Sequence, residues 1–302
     1  MSAPARATWL EHRERGTRTA TRFMKWLALR CGRRLARLVL YPICAYFLLF
    51  SPRARKASRE YLGRVLNRPV RGTDLWRHYF SFAATVLDRI YFLDGQLGCF
   101  DIERQGMDAL YRTLARGRGC LLIGAHLGSF EILRGMAIED RMKVSAVMYE
   151  RNADKITDVL RSVNAEIASN TIASSTVGSV LRISERLAAG EMVAVLGDRV
   201  LGSEKRILCR FLGGEAAFPQ GPLLLAHSLR VPVMLFVAVY RGGSRYTVLF
   251  EPFCEEPSAD RKTRAAWVQE HAQRYADRLE QFCRLAPYNW FNFYDFWATS
   301  SG

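Results

Sequence analysis

The sequence predicts an α/β domain on a mainly parallel sheet flanked by helices, preceded by an N-terminal helical arm for a membrane surface. Two observations carry this. From residue 73 onward, short apolar runs alternate with helical stretches. Nearly all of the excess charge lies ahead of them: residues 1–72 hold 17 Lys/Arg against three acidic residues, net +14, and the remaining 230 residues hold 27 against 26. A composition of 49% hydrophobic and 24% charged residues excludes wholesale disorder and a polytopic membrane protein. No linker divides the second part, so the expected organisation is an arm over 1–72 and one α/β domain over 73–302.

The arm begins polar and Arg-rich, with no cleavable signal sequence. At about 100° per residue, Met24, Leu27, Ala28, Cys31, Leu35 and Leu38 gather on one side of a helix. Arg22, Lys25, Arg30, Arg33 and Arg37 take the other side. The apolar run Leu38–Phe50 follows. As a helix it spans roughly 20 Å, short of the ~30 Å hydrocarbon core, and Pro42 interrupts it. Both flanks are basic, so charge assigns no orientation to a crossing. This is the pattern of an anchor on an anionic membrane surface; a core helix with a solvated basic face is the other reading. Trp9 and Trp26 favour the interface. Nucleic acid is not an expected partner, because no zinc finger, RNA-binding aromatic signature or helix-turn-helix accompanies the charge.

Along the body, Ser51–Leu66 reads as a helix opened by Ser-Pro and stopped at Asn67-Arg68-Pro69. Thr73–Leu93 is a long helix with Thr73 as its N-cap, and Gly106–Arg116 another. Cys120–Ile123 is a buried strand closed by Gly124. Then come a helix over Gly128–Glu139, a strand over Val144–Tyr149, helices over Ala153–Val163 and Gly178–Ala188, and a strand over Met192–Leu196 with a loop after it. A helix over Pro219–His227, strands over Pro232–Tyr240 and Tyr246–Glu251, and an amphipathic helix over Ala259–Cys283 complete the chain. The seven cysteines are odd in number and form no C-x-x-C pair. They predict free thiols in a reducing compartment, with neither a disulfide framework nor a zinc site. No cofactor is called for.

The chemistry concentrates in Gly124-Ala-His-Leu-Gly-Ser-Phe-Glu131. The carboxyl end of a strand in a parallel sheet is where ligands bind. His126 stands there among small neighbours, Gly128 and Ser129 included, which leave room for a substrate. Glu131, in the first turn of the following helix, can turn back to orient the imidazole. That arrangement makes a general base for a hydroxyl. Ser129 lacks the G-x-S-x-G context of a nucleophile and reads as a helix cap or packing residue. The other histidines, His12, His78, His227 and His271, read as structural or solvent-exposed.

The strand–Gly–x–His–x4–Glu unit resembles the H-x4-D/E motif of the glycerolipid acyltransferase superfamily. More closely, the chain resembles the lipid A biosynthesis (lauroyl/myristoyl) acyltransferase family. Beyond the His motif, four ordered blocks carry this resemblance: Met192-Val-Ala-Val-Leu-Gly-Asp-Arg199, Phe211–Ala226, Arg230-Val-Pro-Val-Met-Leu-Phe-Val237, and Ala286-Pro-Tyr-Asn-Trp-Phe-Asn-Phe293. It covers roughly residues 20–297. Two departures point to a divergent branch. Phe218-Pro-Gln-Gly-Pro222 lacks the Glu and Arg of the superfamily's F-P-E-G-T-R block, which argues against a glycerol phosphate acceptor. The closing segment is aromatic rather than basic.

The resemblance implies a bacterial inner-membrane enzyme on the cytoplasmic face. It would move a fatty acyl chain from a thioester, on acyl carrier protein or coenzyme A, to a hydroxyl of a lipid or glycolipid. His126 is then the base and Glu131 its orienting group. Gly128, Ser129, Asp198, Arg199 and Gly221 are substrate-binding candidates. Arg199 would hold a phosphate or the developing oxyanion, or would form a surface pair with Asp198. Lys205, Arg206 and Arg210 would steer an acidic carrier, or are solvated charge. The end segment (Trp290, Phe291, Phe293, Tyr294, Phe296, Trp297) would line an acyl groove, meet the membrane, or pack in the core. Acceptors other than lipid A, such as an ornithine lipid, another glycolipid or a polyene lipid, remain open, as does a non-catalytic membrane-binding module on the same fold.

Overall fold

A computed structural model describes residues 18–148, 170–173, 177–200, 204–255, 257 and 262–297. The chain runs α1 (Arg18–Phe50), α2 (Pro52–Leu66), α3 (Gly72–Leu93), β1 (Asp101–Gln105), α4 (Met107–Leu114), β2 (Leu121–Gly124), α5 (Ile132–Glu139), β3 (Val144–Met148), β4 (Thr171–Ala173), α6 (Val177–Ala188), β5 (Met192–Leu196), β6 (Arg206–Phe211), β7 (Gly214–Pro219), α7 (Gly221–Leu229), β8 (Val233–Gly242), β9 (Arg245–Cys254) and α8 (Arg264–Leu285). The helix expected over 153–163 lies outside the described residues.

Seven strands form one sheet in the order β1-β9-β8-β2-β5-β3-β4. β4, β3, β5, β2 and β8 run parallel; β9 turns back antiparallel on β8, and β1 lies parallel to β9. The sheet is therefore mixed, though mostly parallel. β2 sits at its centre and alternates between two layers. Leu121 and Ile123 face the layer of α2, α6, α7 and α8, while Cys120 and Leu122 face the layer of α3, α4 and α5. Burial on both faces is why this strand reads as an unbroken apolar run.

Sequence patterning missed three features. β1 is a polar edge strand, exposed along most of its length, so it carries no apolar signature. β4 is only three residues long. The loop expected after Leu196 contains instead a two-stranded antiparallel ribbon, β6–β7. Along β6, Arg206, Leu208 and Arg210 face out and Ile207, Cys209 and Phe211 face in. Helix starts also shift: α7 opens at Gly221 because Pro219 still belongs to β7, and α8 opens at Arg264, later than the expected Ala259, which lies outside the described residues. Asp74, not Thr73, caps α3 by accepting from the Arg71 backbone N–H at 2.9 Å. α5 starts at Ile132 rather than Gly128.

The arm packs onto the domain. α1 breaks at Gly32 (φ 82°, ψ 163°), a backbone conformation open to glycine, and continues through Pro42. Among the described side chains of α1, Ala28, Ala36, Leu40 and Cys44 are buried. Tyr91 of α3 donates to the Ala28 carbonyl at 2.7 Å. This corrects the expected division of faces. Arg33 and Arg37 point inward: Arg33 grips Asp88 with Nε and Nη2, both at 2.7 Å, and Arg37 donates to the Tyr240 hydroxyl at 2.9 Å. Outward face Trp26, Leu29, Leu35, Leu38, Tyr41, Tyr46, Leu49 and Phe50, together with Arg30 and Arg34. No single described helix is long and apolar enough to cross a membrane. Residues 28–50 and α2 meet that test only as a pair, bent by 95°.

Candidate active site

β2 and β5 are parallel neighbours with Gly124 opposite Leu196. Each strand leaves the sheet through a small residue: Gly124-Ala125-His126 from one, Gly197-Asp198 from the other. The two exits are tied together by the Gly197 N–H donating to the Gly124 carbonyl at 2.9 Å. The register therefore sets His126 beside Asp198, although 72 positions separate them.

The His126 Nδ1–H donates to Asp198 Oδ1 at 2.8 Å, and the His126 backbone N–H donates to Oδ2 at 3.0 Å. The Trp290 indole Nε1–H donates to Oδ2 as well, at 3.0 Å. Asp198 is fully buried. Burial pushes its pKa up, but His126 and Arg199 outweigh that and hold it down to about 2. Burial and the Arg199 guanidinium lower the His126 pKa more than Asp198 raises it. The imidazole is thus neutral at ordinary pH, with its proton on Nδ1 facing an acceptor-only carboxylate. Its Nε2 lone pair is left as the basic site.

The expected partner of His126 was Glu131, and the structure corrects that pairing. Gly128 has φ +70°, and a Cβ there would meet the Ala238 carbonyl oxygen at 1.7 Å, so only glycine fits the turn. The chain then lies along β8 and the closing segment, with the Gly128 N–H donating to the Asn289 carbonyl at 2.8 Å and the Ser129 N–H to Ala238 at 2.9 Å. The turn delays the helix, and Glu131 faces α3, where its Oε1 lies 3.1 Å from Arg89 Nε. Arg134, one turn on, is buried and donates to the Thr171 hydroxyl at 3.1 Å.

The other candidates are placed as follows. Ser129 caps no helix; its buried Oγ has no hydrogen-bond partner among the described residues. The Gly128 and Ser129 amides are spent on backbone partners. Arg199 makes no ion pair with Asp198 among the described residues. It donates through Nη2 to the Phe291 carbonyl at 2.6 Å and lies over the Tyr294 ring at 5.8 Å. Gly221 opens α7, where a Cβ would press on Glu204, and no described hydrogen bond joins it to His126. In the closing segment, Trp290, Phe291, Phe296 and Trp297 are buried. Phe291 and Phe293 also touch Phe82 of α3, which is partly exposed beside the site, with ring centroids at 5.3 and 5.1 Å.

Sequence reasoning missed the indole donor of Trp290 and the Arg89 partner of Glu131. A signal existed for Asp198 as partner: Met-Val-Ala-Val-Leu-Gly-Asp repeats the form of Cys-Leu-Leu-Ile-Gly-Ala-His, an apolar strand released through a glycine into a functional side chain. Among the described residues, no cluster of three or more His, Cys, Asp or Glu side chains can hold a metal ion.

A search among curated proteins finds no significant match. The family profile described as bacterial lipid A biosynthesis acyltransferase matches residues 96–299, a stretch that holds both strand exits and the closing aromatic segment, and the chain belongs to that family.

Proposed function

We propose that this acyltransferase moves a fatty acyl chain from a thioester to a hydroxyl of a lipid or glycolipid, with His126 as general base and Asp198 as its orienting group. The observation that carries the reading is the neutral His126 imidazole paired with the ionised Asp198 carboxylate at the ends of two parallel strands, with Nε2 as the basic site. The acceptor hydroxyl loses its proton to Nε2 as its oxygen attacks the thioester carbonyl. The tetrahedral intermediate collapses, the C–S bond breaks, and the thiolate recovers the proton from the imidazolium. No covalent acyl-enzyme is needed. Arg199, held by the Phe291 carbonyl, is the candidate donor to the developing oxyanion or to a phosphate on the substrate. Glu131 acts at one remove, by holding Arg89.

The donor we favour is acyl carrier protein, with coenzyme A as the other thioester. The outward arginines of β6, Arg206 and Arg210, offer cationic contacts to an acidic carrier. The outward apolar side of α1, with Arg30 and Arg34, supports attachment to the cytoplasmic face of the inner membrane.

Lipid mass spectrometry on cells with and without the protein tests this directly. The expected result is a lipid heavier by one acyl group, made by the wild type and lost with His126→Ala, for which acyl transfer in vitro falls about 10³-fold. An unchanged rate in His126→Ala overturns the proposal.

A further inference from the structure

Trp290 is among the largest fully buried side chains, and its polar groups point in two directions. The indole N–H donates to Asp198 Oδ2. Its backbone carbonyl accepts from His78 Nε2 at 2.9 Å, so His78 carries its proton on that nitrogen. His78 Nδ1 is then the acceptor for the Ser58 hydroxyl, at 2.7 Å. Burial holds the His78 pKa down to about 4, which keeps the ring neutral and the direction of this chain of bonds fixed. The backbone around Trp290 is pinned as well. Leu127 pairs with it in an isolated bridge, and the Phe291 N–H donates to the His126 carbonyl at 2.8 Å.

Both other donors to Asp198 come from His126 itself. A carboxylate held by one residue alone can follow that residue as it moves. The indole belongs to a separate segment, fixed from α2 and α3 through Ser58 and His78, and gives the carboxylate an independent reference.

We propose that Trp290 is a positioning residue for acyl transfer, its indole N–H fixing the Asp198 carboxylate in the plane that receives the His126 Nδ1 proton. The inference rests on the base role given above to His126. The same bond draws charge from the carboxylate and so restrains the basicity of His126. Removing it should raise the pH at which His126 titrates.

The test uses the full chain in detergent micelles. Trp290→Phe keeps an aromatic ring and loses the donor. Expected are a kcat lower by about tenfold, the scale on which outer partners of a functional imidazole act, and an acid limb of the pH–rate profile higher by about half a unit. An unmoved kcat and limb overturn the proposal. Incorporating 5-fluorotryptophan into the wild type makes the indole N–H a stronger donor without a change of shape, and should move the limb the other way. That measurement stands even where Trp290→Phe fails to fold, and an unmoved limb there counts against the proposal. NMR titration of the His126 ring protons needs no turnover. A raised titration in Trp290→Phe with no acyl transfer by any variant keeps the positioning role and sinks the acyltransfer reading. Active wild type with an unmoved titration does the reverse.

Discussion

Asp88 and Asp198 are both fully buried carboxylates, and each receives three hydrogen bonds from two residues. At Asp88 the donors are Arg33 Nε, Arg33 Nη2 and the Tyr246 hydroxyl. At Asp198 they are the two N–H groups of His126 and the indole of Trp290. Burial and donor count do not tell the two apart. The partner's chemistry does. A guanidinium cannot give up its proton at any ordinary pH, so the Arg33–Asp88 pair is a clasp between α1 and α3. An imidazole offers a second nitrogen with a lone pair. His126 also keeps 30% of its side chain exposed, against 15% for Arg33, so that nitrogen can meet a substrate. On the proposed reading, a buried carboxylate serves chemistry only when what it holds can titrate and can be reached.

Matched substitutions separate the two sites. Asp198→Asn should have the largest effect on rate. Two donors converge on Oδ2, so the asparagine carbonyl must take that position and its NH₂ must face His126 Nδ1. The imidazole is then driven to the wrong tautomer, with its proton on Nε2. Acyl transfer should fall by about 10²–10³-fold, no further than in His126→Ala, while circular dichroism stays native. Glu131→Gln, which disturbs the Arg89 contact and the charge facing buried Arg134 but not the His126–Asp198 pair, should cost far less in the same assay. Asp88→Asn should reverse the pattern. It leaves Arg33 largely buried without a counter-charge and should cost about 3 kcal/mol of stability in chemical denaturation, with the turnover of the folded fraction near wild type.

The pH–rate profile sharpens the contrast further. The rate should fall as pH drops through the lowered pKa of His126, below its ordinary 6.5. The stability that Asp198 contributes should be complete above the ordinary carboxylate value of 3.8 and be lost only as pH falls through about 2. The two transitions belong to different groups, so rate and circular dichroism followed together across pH should separate them. The smallest effect concerns the outer side of α1. Replacing Leu35, Leu38 and Leu49 with glutamine should leave Tm nearly unchanged, since all three are exposed. It should weaken sedimentation with anionic vesicles by about 1–2 kcal/mol per side chain. Deleting residues 1–50 is a poorer test of attachment, because it also strips Ala28, Leu40 and the Arg33 clasp from the core.

His126 was legible from the sequence because everything that exposes it is local: an apolar strand, a glycine, small neighbours. Its carboxylate was not. Glu131 is five positions away along the chain, but the left-handed turn at Gly128 carries it to α3. Asp198 is brought in by the pairing of β2 with β5, which no local pattern encodes. The arm shows a similar limit. A helical wheel finds an apolar side and a basic side but does not say which packs inward. Here the small residues Ala28, Ala36 and Cys44 allow close approach, and Arg33 finds a carboxylate on α3. The large apolar side chains are left outside. Core strands read clearly because both faces are buried; β1 did not, because an edge strand has no such need.

The tie between Trp290 and the His126 loop has a consequence for the order of events during synthesis. A ribosome delivers His126 and Asp198 long before it delivers residues 289–291, which close the backbone around both. Until then Asp198 lacks its indole and Arg199 its carbonyl anchor. The first half of the site is thus synthesised well before the segment that locks it, and on the proposed reading the chain cannot transfer an acyl group until residues 289–291 have emerged and docked.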